Sequence, residues 1–216
     1  MSVRIEVWGD YACFSRPEMK VERVSYDIMT PSAARGLMES IFWHPGLVWQ
    51  IDKIHVCAPI RFVNIRRNEV GAVLSASNVQ TAMRSGAPLY LATPEHIQQR
   101  ATMALRDVRY VIEAHFDMTD QAAPSDNPGK FQDIMKRRLR RGQCYSQPYF
   151  GVREFASSFA LCEEVPPCPV TLEGERDLGY MLYDLDYSNP DDIRPQFFRA
   201  ILRDGVLDLA DVEVRQ

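Results

Sequence analysis

The chain has 216 residues, of which 46% are hydrophobic and 25% are charged, and its formal net charge is −4. This length and apolar content predict a folded protein of one domain, or of one domain with a small appendage, and argue against intrinsic disorder. Because no stretch approaches the roughly 18 apolar residues of a membrane-spanning helix, and charged residues interrupt the position of a signal peptide, we expect a cytoplasmic protein without membrane contact.

The first predicted elements are a strand and a helix. Apolar residues alternate over 3–8, which predicts a half-buried strand that ends at Gly9. Thr30 followed by proline predicts a helix N-cap, and apolar residues then recur at helical spacing over 31–43. The last of them is Phe42, so one apolar stripe of this helix is expected to face the core.

The middle of the chain predicts strands on both sides of a segment with a weak pattern. Residues 47–65 predict two strands, whereas 67–99 has little periodicity and is interpreted as a long loop or an extended hairpin. Clean alternation over 108–118 predicts another strand, in which His115 lies on the face opposite Tyr110.

A second helix is predicted at the end of the polar loop 121–129. Asn127 and the following proline have the composition of a helix start, and apolar residues at helical spacing continue to Gly142, a typical helix end. Residues 149–159 then predict a strand. The last part of the chain predicts short strands, including a pair that turns at 204–205.

The order of these elements predicts an α+β fold. Strand, helix, strand, strand, then strand, helix and strand resemble the split βαβ pattern of ferredoxin-like domains. We therefore expect a ferredoxin-like domain of the RNA-recognition type over residues 1–165 and a small C-terminal antiparallel β domain over 166–216. Since a fold alone does not fix a function, the function depends on particular residues.

Charge is distributed unevenly along the chain. Residues 136–141 place five cations in six positions, while acidic residues are concentrated in the C-terminal third. Such a basic run is typical of a solvated helix face or of a surface that binds nucleic acid, and the pattern fits both.

Cysteine and histidine spacing gives no sign of a metal site. The five cysteines form no CxxC pair, and the four histidines form no HExxH motif. We therefore expect reduced thiols, no disulfide framework, no metal and no cofactor.

Six segments of the sequence together resemble one protein family. The first reads VWGDYACFSRPE, the second contains TPSAARG and ends in IFWHP, and the last reads QPYFGVREF. In chain order the segments are 7–18, 26–45, 60–62, 65–69, 137–145 and 147–155. Their order over nearly the whole chain resembles the Cas-five family of CRISPR-associated proteins, subtype d, from type I-C systems, in the RAMP superfamily.

This resemblance implies a ferredoxin-like RAMP domain that cuts the CRISPR repeat transcript and stays on the 5′ handle of the mature guide RNA. It implies a metal-independent endoribonuclease, in which the neighbouring ribose 2′-OH attacks the scissile phosphate. The implied partners are repeat RNA, guide RNA and the other subunits of the type I-C interference complex. A second interpretation is a non-catalytic or weakly catalytic subunit that caps the guide RNA and also binds duplex DNA.

The catalytic residues of the family carry over only in part. Some members have a catalytic tyrosine where this sequence has Phe42, and a lysine–histidine pair where it has Lys130 and Phe131. Phenylalanine cannot transfer a proton, and both phenylalanines lie on apolar helical stripes, which predicts that they are buried. The candidate catalytic residues are therefore Lys130, His44 and Tyr145, the last two because their side chains can move a proton.

Lys130 stands at the third position of the predicted second helix. The positive end of the helix dipole disfavours a cation there unless an anion lies beside it. The position suits an RNA phosphate, although a lysine that bends into water would give the same sequence pattern.

Basic and aromatic residues supply candidate RNA contacts, because cations bind phosphates and aromatic rings stack on bases. The candidate phosphate contacts are Arg16, Lys20, Arg23, Arg66, Arg67, Lys136, Arg137, Arg140 and Arg141. The candidate stacking residues are Trp8, Tyr11, Phe14 and Tyr26, some of which must instead belong to the core.

Overall fold

In the computed structural model, which describes residues 2–19 and 21–215, a nine-stranded sheet packs against two helices. The strands are β1 (Ser2–Ala12), β2 (Arg23–Val24), β3 (Leu47–Val56), β4 (Phe62–Val70), β5 (Ile97–Met118), β6 (Ser158–Leu161), β7 (Glu175–Asp186), β8 (Arg194–Arg203) and β9 (Val206–Asp208). The helices are α1 (Pro31–Ile41), α2 (Ala76–Ser85) and α3 (Pro128–Arg141), with short 3-10 turns at Thr93–His96 and Val170–Leu172. The fold is therefore α+β, as the sequence predicts, and its strands form one large, mainly antiparallel sheet.

The strands follow the order β6-β1-β5-β3-β9-β8-β7, and every pair along this path is antiparallel. In addition, β4 pairs antiparallel and β2 parallel with β5. Lys53 of β3 lies opposite Asp208 of β9, so the last three strands extend the same sheet. Asp204 and Gly205 both have positive φ and form the predicted turn between β8 and β9.

Helices α1 and α3 bury their apolar stripes in a core shared with β1, β3 and β5. Met38 of α1 and Met135 of α3 belong to the same buried cluster as Val7, Ile54 and Ile112 of the strands. These side chains therefore reach one core because apolar residues alternate in β1 and β5 and recur at helical spacing in α1 and α3.

Both core helices begin where the sequence predicts. The Thr30 hydroxyl accepts a hydrogen bond from the Ala33 N–H at 3.2 Å, and the Asn127 carboxamide oxygen accepts one from the Lys130 N–H at 2.9 Å. Gly142 ends α3 with φ 62°, a left-handed conformation that favours glycine. None of the described helices is long and apolar enough to cross a membrane.

The predicted end of β1 at Gly9 is wrong, because the strand continues to Ala12. Close packing explains the glycine instead. A Cβ atom at this position would lie only 3.0 Å from Cε2 of the Phe150 ring, which packs over the strand.

The strand predicted over 149–159 is also largely wrong. Only a single bridge joins Tyr149 to Ala156, and β6 begins after it. The chain turns sharply at Gly151, whose φ is 79°, and a Cβ atom there would lie 2.0 Å from the carbonyl oxygen of Cys13. Tight backbone packing against the loop after β1 therefore prevents an extended strand.

The segment 67–99 contains a hairpin that carries a helix. Strands β4 and β5 pair with Arg67 opposite Arg100, so the hairpin interpretation is confirmed. Helix α2 lies between these strands and is not among the predicted elements, and none of its residues is buried. Its ends are set by local capping: the Ser75 side chain caps the start of α2, and Gly86, with φ 68°, ends the helix.

Candidate functional site

The end of α1 and the start of α3 meet at two phenylalanine rings. The rings of Phe42 and Phe131 lie edge to face with their centroids 5.8 Å apart, and the two residues are only 4% and 1% exposed. The Trp49 indole N–H donates to the Phe42 carbonyl at 2.9 Å, and the Arg138 guanidinium lies 5.1 Å from the centre of the Phe42 ring. The predicted burial of both phenylalanines is confirmed, and they form the apolar floor beside the polar groups described next.

Lys130 lies in the first turn of α3, above this floor. Its ammonium donates to Oδ1 of Asp126 at 2.7 Å. The anion that the helix dipole favours beside this lysine is thus supplied by the chain itself, four residues earlier.

His44 lies on the other side of the same carboxylate. Its ring centroid is 4.8 Å from that of Phe131. Nδ1 accepts a hydrogen bond from the Gly46 N–H at 3.0 Å, so the ring proton of the neutral imidazole is on Nε2. Nε2 lies 3.9 Å from Oδ2 of Asp126, too far for a hydrogen bond, so this N–H has no acceptor on the carboxylate.

Asp126 belongs to this group although it is not among the residues predicted from the sequence. Its side chain is only 2% exposed, and Oδ2 accepts a further hydrogen bond from the Ala123 N–H at 2.9 Å. The hydrogen bond from Lys130, followed by that from Ala123, holds the pKa of this carboxyl below its usual value, so it is an anion near neutral pH. The spacing of an acid four residues before Lys130 could have indicated the pair, but nothing local indicates the contact with His44.

Among the described residues, no hydrogen bond or ring contact joins Tyr145 to Lys130 or His44, and its role stays a prediction. It follows the opposite end of α3, and the helix rises about 16 Å between Lys130 and Arg141. The residue is 81% exposed, and its backbone N–H donates to the Ser40 carbonyl at 2.9 Å.

The nine candidate phosphate contacts divide into paired and unpaired cations. Within the described chain, the cations that have no carboxylate partner within 4.0 Å are Arg66, Lys136, Arg137, Arg140 and Arg141. The paired ones are Arg16 with Asp27 and Glu18, and Arg23 and Arg67, each with both Glu69 and Glu154. Lys20 lies outside the described residues. Unpaired cations bind phosphate without first losing an ion pair, so α3 offers the stronger contacts.

Helix periodicity aligns the unpaired cations with the site. Arg137 and Arg141 are seven and eleven residues after Lys130, which places all three on one face of α3 at 3.6 residues per turn. The opposite face is the buried stripe that includes Phe131 and Leu139. A polyanion that follows this cationic face therefore reaches Lys130 and His44 at the start of the helix.

The aromatic candidates also divide by burial. Phe14 and Tyr26 belong to the core, whereas Trp8 and Tyr11 remain 40% and 42% exposed on β1. Only the latter two have rings that a base can reach.

The other two pairs of histidine and carboxylate lie on β3 and β5. His55 Nε2 is 3.0 Å from Glu113, and His115 Nδ1 is 2.7 Å from Asp52. In residues 2–19 and 21–215, no group of three or more His, Cys, Asp or Glu side chains is gathered so that it could hold a metal ion.

Comparison with known proteins shows the family to which this chain belongs. A family model described as CRISPR-associated protein (Cas_Cas5), subtype Cas5d, matches residues 2–209. The chain is 51% identical over 213 residues to the CRISPR pre-crRNA endoribonuclease Cas5d of Mannheimia succiniciproducens, which covers 96% of this chain and 94% of that protein. It is 38% identical over 226 residues to the CRISPR pre-crRNA endoribonuclease Cas5d of Thermus thermophilus, with 96% and 90% covered.

A solved structure agrees with this assignment at the level of the fold. The crystal structure of a CRISPR-associated protein superposes with a TM-score of 0.69 at 19% identity, covering 100% of this chain and 97% of the other. The resemblance that the sequence segments indicated is thereby confirmed, and the chain belongs to the Cas5d family of CRISPR-associated proteins.

Proposed function

We propose that this chain is a pre-crRNA endoribonuclease that cuts the CRISPR repeat transcript and remains on the 5′ handle of the guide RNA. The observation that carries the proposal is the convergence of Lys130 and His44 at the start of α3, on the same helix face as unpaired Arg137 and Arg141. The two curated relatives named as pre-crRNA endoribonucleases support the same activity. As the product-bound protein, the chain would be a subunit of the type I-C interference complex.

The topology supports a ferredoxin-like RAMP domain for this activity. The four strands β6-β1-β5-β3, with α1 and α3 in the connections, have the arrangement of two split βαβ units. We assign this domain to residues 1–165 and a small antiparallel β domain to 166–216, which contains β7, β8 and β9.

The reaction uses a nucleophile that RNA itself carries. The ribose 2′-OH attacks the adjacent phosphorus and loses its proton to water, while the bond to the 5′ oxygen breaks and that oxygen takes a proton from water. The products are a 2′,3′-cyclic phosphate and a 5′-OH end. The step needs in-line positioning and stabilisation of charge on the phosphate oxygens, and no metal is required for either.

Lys130 and His44 supply these two needs in the proposed site. The Lys130 ammonium has three N–H donors and uses one on Asp126, so two remain for phosphate oxygens. The neutral His44 ring, whose Nδ1 accepts from the Gly46 N–H, can donate a hydrogen bond from its Nε2–H to the leaving 5′ oxygen and so stabilise the charge that develops there. Tyr145 follows the end of α3, and its exposed ring can stack on an RNA base or donate a proton.

A second candidate function is favoured by the two buried rings. Phe42 and Phe131 stand where other family members have proton-transfer residues, and neither has a titratable group. On this alternative, the chain is a weakly catalytic or non-catalytic subunit that caps the guide RNA. The cationic face of α3 could then also hold duplex DNA.

A cleavage assay with repeat RNA in EDTA distinguishes the two functions. We expect the wild-type chain to make one cut and Lys130→Ala to lose most of the rate while RNA affinity stays within about threefold, since one electrostatic contact is worth about 10²–10³-fold in rate. Lys53→Ala is the matched control, because Lys53 also donates to an aspartate at 2.7 Å but lies on β3. Binding without any cleavage would favour the capping function, and a wild-type rate for Lys130→Ala would refute the site.

A further inference from the structure

The carboxylate of Asp126 joins the two candidate catalytic side chains without being one of them. One oxygen accepts the Lys130 ammonium at 2.7 Å, and the other lies 3.9 Å from His44 Nε2. With its side chain 2% exposed, this carboxylate is nearly inaccessible, whereas the Lys130 side chain is 44% and the His44 side chain 34% exposed. RNA can therefore touch the lysine and the histidine while the aspartate lies behind them.

We propose that Asp126 is the positioning residue of the cleavage site, which holds the Lys130 ammonium beside the His44 N–H before RNA binds. The proposal rests on the endoribonuclease function proposed above. It assigns a role to a loop residue that neither the sequence pattern nor the family resemblance indicated.

The loop that carries Asp126 is itself fixed to the turn that carries His44. The Thr119 N–H donates to the Gly46 carbonyl at 3.1 Å. The packing is so close that a Cβ atom on Gly46 would lie 2.8 Å from Cα of Ala122. The carboxylate and the imidazole are therefore held at a set separation by backbone contacts, and Lys130 is the only long, flexible member of the group.

The contact between Asp126 and Lys130 should affect the rate of the chemical step and the affinity for RNA differently. A free lysine side chain samples many rotamers, and the hydrogen bond to Asp126 reduces this freedom before the substrate arrives. The same carboxylate is a negative charge close to the place of the scissile phosphate, so it opposes RNA binding slightly. Removal of the charge should therefore slow the chemical step without weakening binding, which a purely structural role for Asp126 would not produce.

The test compares Asp126→Asn with the wild type in single-turnover cleavage of repeat RNA. We expect the rate at saturating protein to fall by about 10- to 100-fold, because misplacement by about 1 Å costs up to about 10²-fold. The protein concentration that gives half the maximal rate should stay the same or decrease. Asp133→Asn is the matched control, since it removes the same charge from an exposed position on α3, and its rate should stay within about twofold of the wild type.

A double variant shows whether Asp126 acts through Lys130. If it does, adding Asp126→Asn should slow cleavage by the wild type but should hardly change the cleavage rate of Lys130→Ala. Independent roles would instead give additive losses. Equal fold-losses in both backgrounds would overturn the positioning role, as would an Asp126→Asn rate equal to the wild-type rate. Thermal melting of each variant separates these outcomes from loss of the fold.

An RNA-free measurement separates failure of this inference from failure of the proposed function. The Asp126 carboxyl can be titrated by 13C NMR in the wild type and in Lys130→Ala. We expect its pKa to lie below the usual value in the wild type and to rise in the variant, because Lys130 is the main cause of the lowering. An unchanged pKa would overturn the contact on which the inference depends, whereas a wild-type chain that holds this contact but never cuts RNA would refute the function itself.

Discussion

Replacement of three unpaired cations on α3 gives a quantitative test of the RNA-binding face. In the variant Arg137→Ala, Arg140→Ala and Arg141→Ala, three exposed cations that lack carboxylate partners in the described chain are lost. Each phosphate contact with a single strand contributes about −0.7 to the slope of log affinity against log salt, so the slope should become shallower by about 2. Between 50 and 200 mM salt, the ratio of wild-type to variant affinity for repeat RNA should then shrink by about 20-fold.

The assay is fluorescence anisotropy with labelled repeat RNA at four or more salt concentrations. The matched control replaces Arg194, Arg199 and Arg203 of β8, which carry the same total charge but each pair with a carboxylate. Because these cations are already neutralised by neighbours, the control slope should stay close to that of the wild type. Equal slopes for the wild type and the α3 variant would refute the assignment and mean that the basic run is only a solvated helix face.

Two further predictions concern stability. Phe42→Ala should lower the free energy of unfolding by about 3–5 kcal/mol in urea melts, since it leaves a cavity beside the Phe131 ring, and a loss below about 1 kcal/mol would contradict the packing. Lys130→Ala should lower the melting temperature at pH 7, because it removes the partner that lowers the pKa of Asp126. A carboxyl with a lowered folded-state pKa stabilises the fold above its unfolded pKa of about 3.9. It loses that contribution as the pH falls through the folded-state pKa, so the difference should vanish once the pH lies below the folded-state pKa. A difference that persists there would contradict the ion pair.

Helix positions were predictable from the sequence because their signals are local. Thr30 and Asn127 cap α1 and α3 through their own side chains, and the spacing of apolar residues sets the buried face of each helix. The burial of Phe42 and Phe131 followed from the same spacing. Alternation of apolar residues is also a local pattern, and it correctly predicted strands in β1 and in the second half of β5.

The errors arose where tertiary contacts override local pattern. The sequence predicts a strand end at Gly9, but the missing side chain of this residue makes room for the ring of Phe150, which is far away in sequence. Residues 149–159 alternate like a strand but are forced into a turn by packing against the backbone of Cys13. Helix α2 buries none of its residues, and the mixed small and polar residues of 67–99 obscure its caps, Ser75 and Gly86.

In the candidate site, too, single residues could be predicted from the sequence, whereas their contacts could not. Lys130 and His44 could be chosen from residue type and position, but their meeting at Asp126 depends on the packing of two loops. Likewise, the sequence could not separate the paired cations Arg23 and Arg67 from the unpaired ones of α3, because their partner Glu154 is distant in the chain.

The most direct test of the proposed chemistry changes one atom of the substrate. Repeat RNA with a 2′-deoxy nucleotide immediately before the cut is compared with unmodified RNA in EDTA, and the product ends are identified by mass spectrometry. If RNA supplies the nucleophile to a site formed by Lys130 and His44, the unmodified RNA should give a 2′,3′-cyclic phosphate and a 5′-OH, and the deoxy substrate should remain intact while binding normally. Cleavage of the deoxy substrate, or products with a 3′-OH and a 5′-phosphate, would contradict this mechanism.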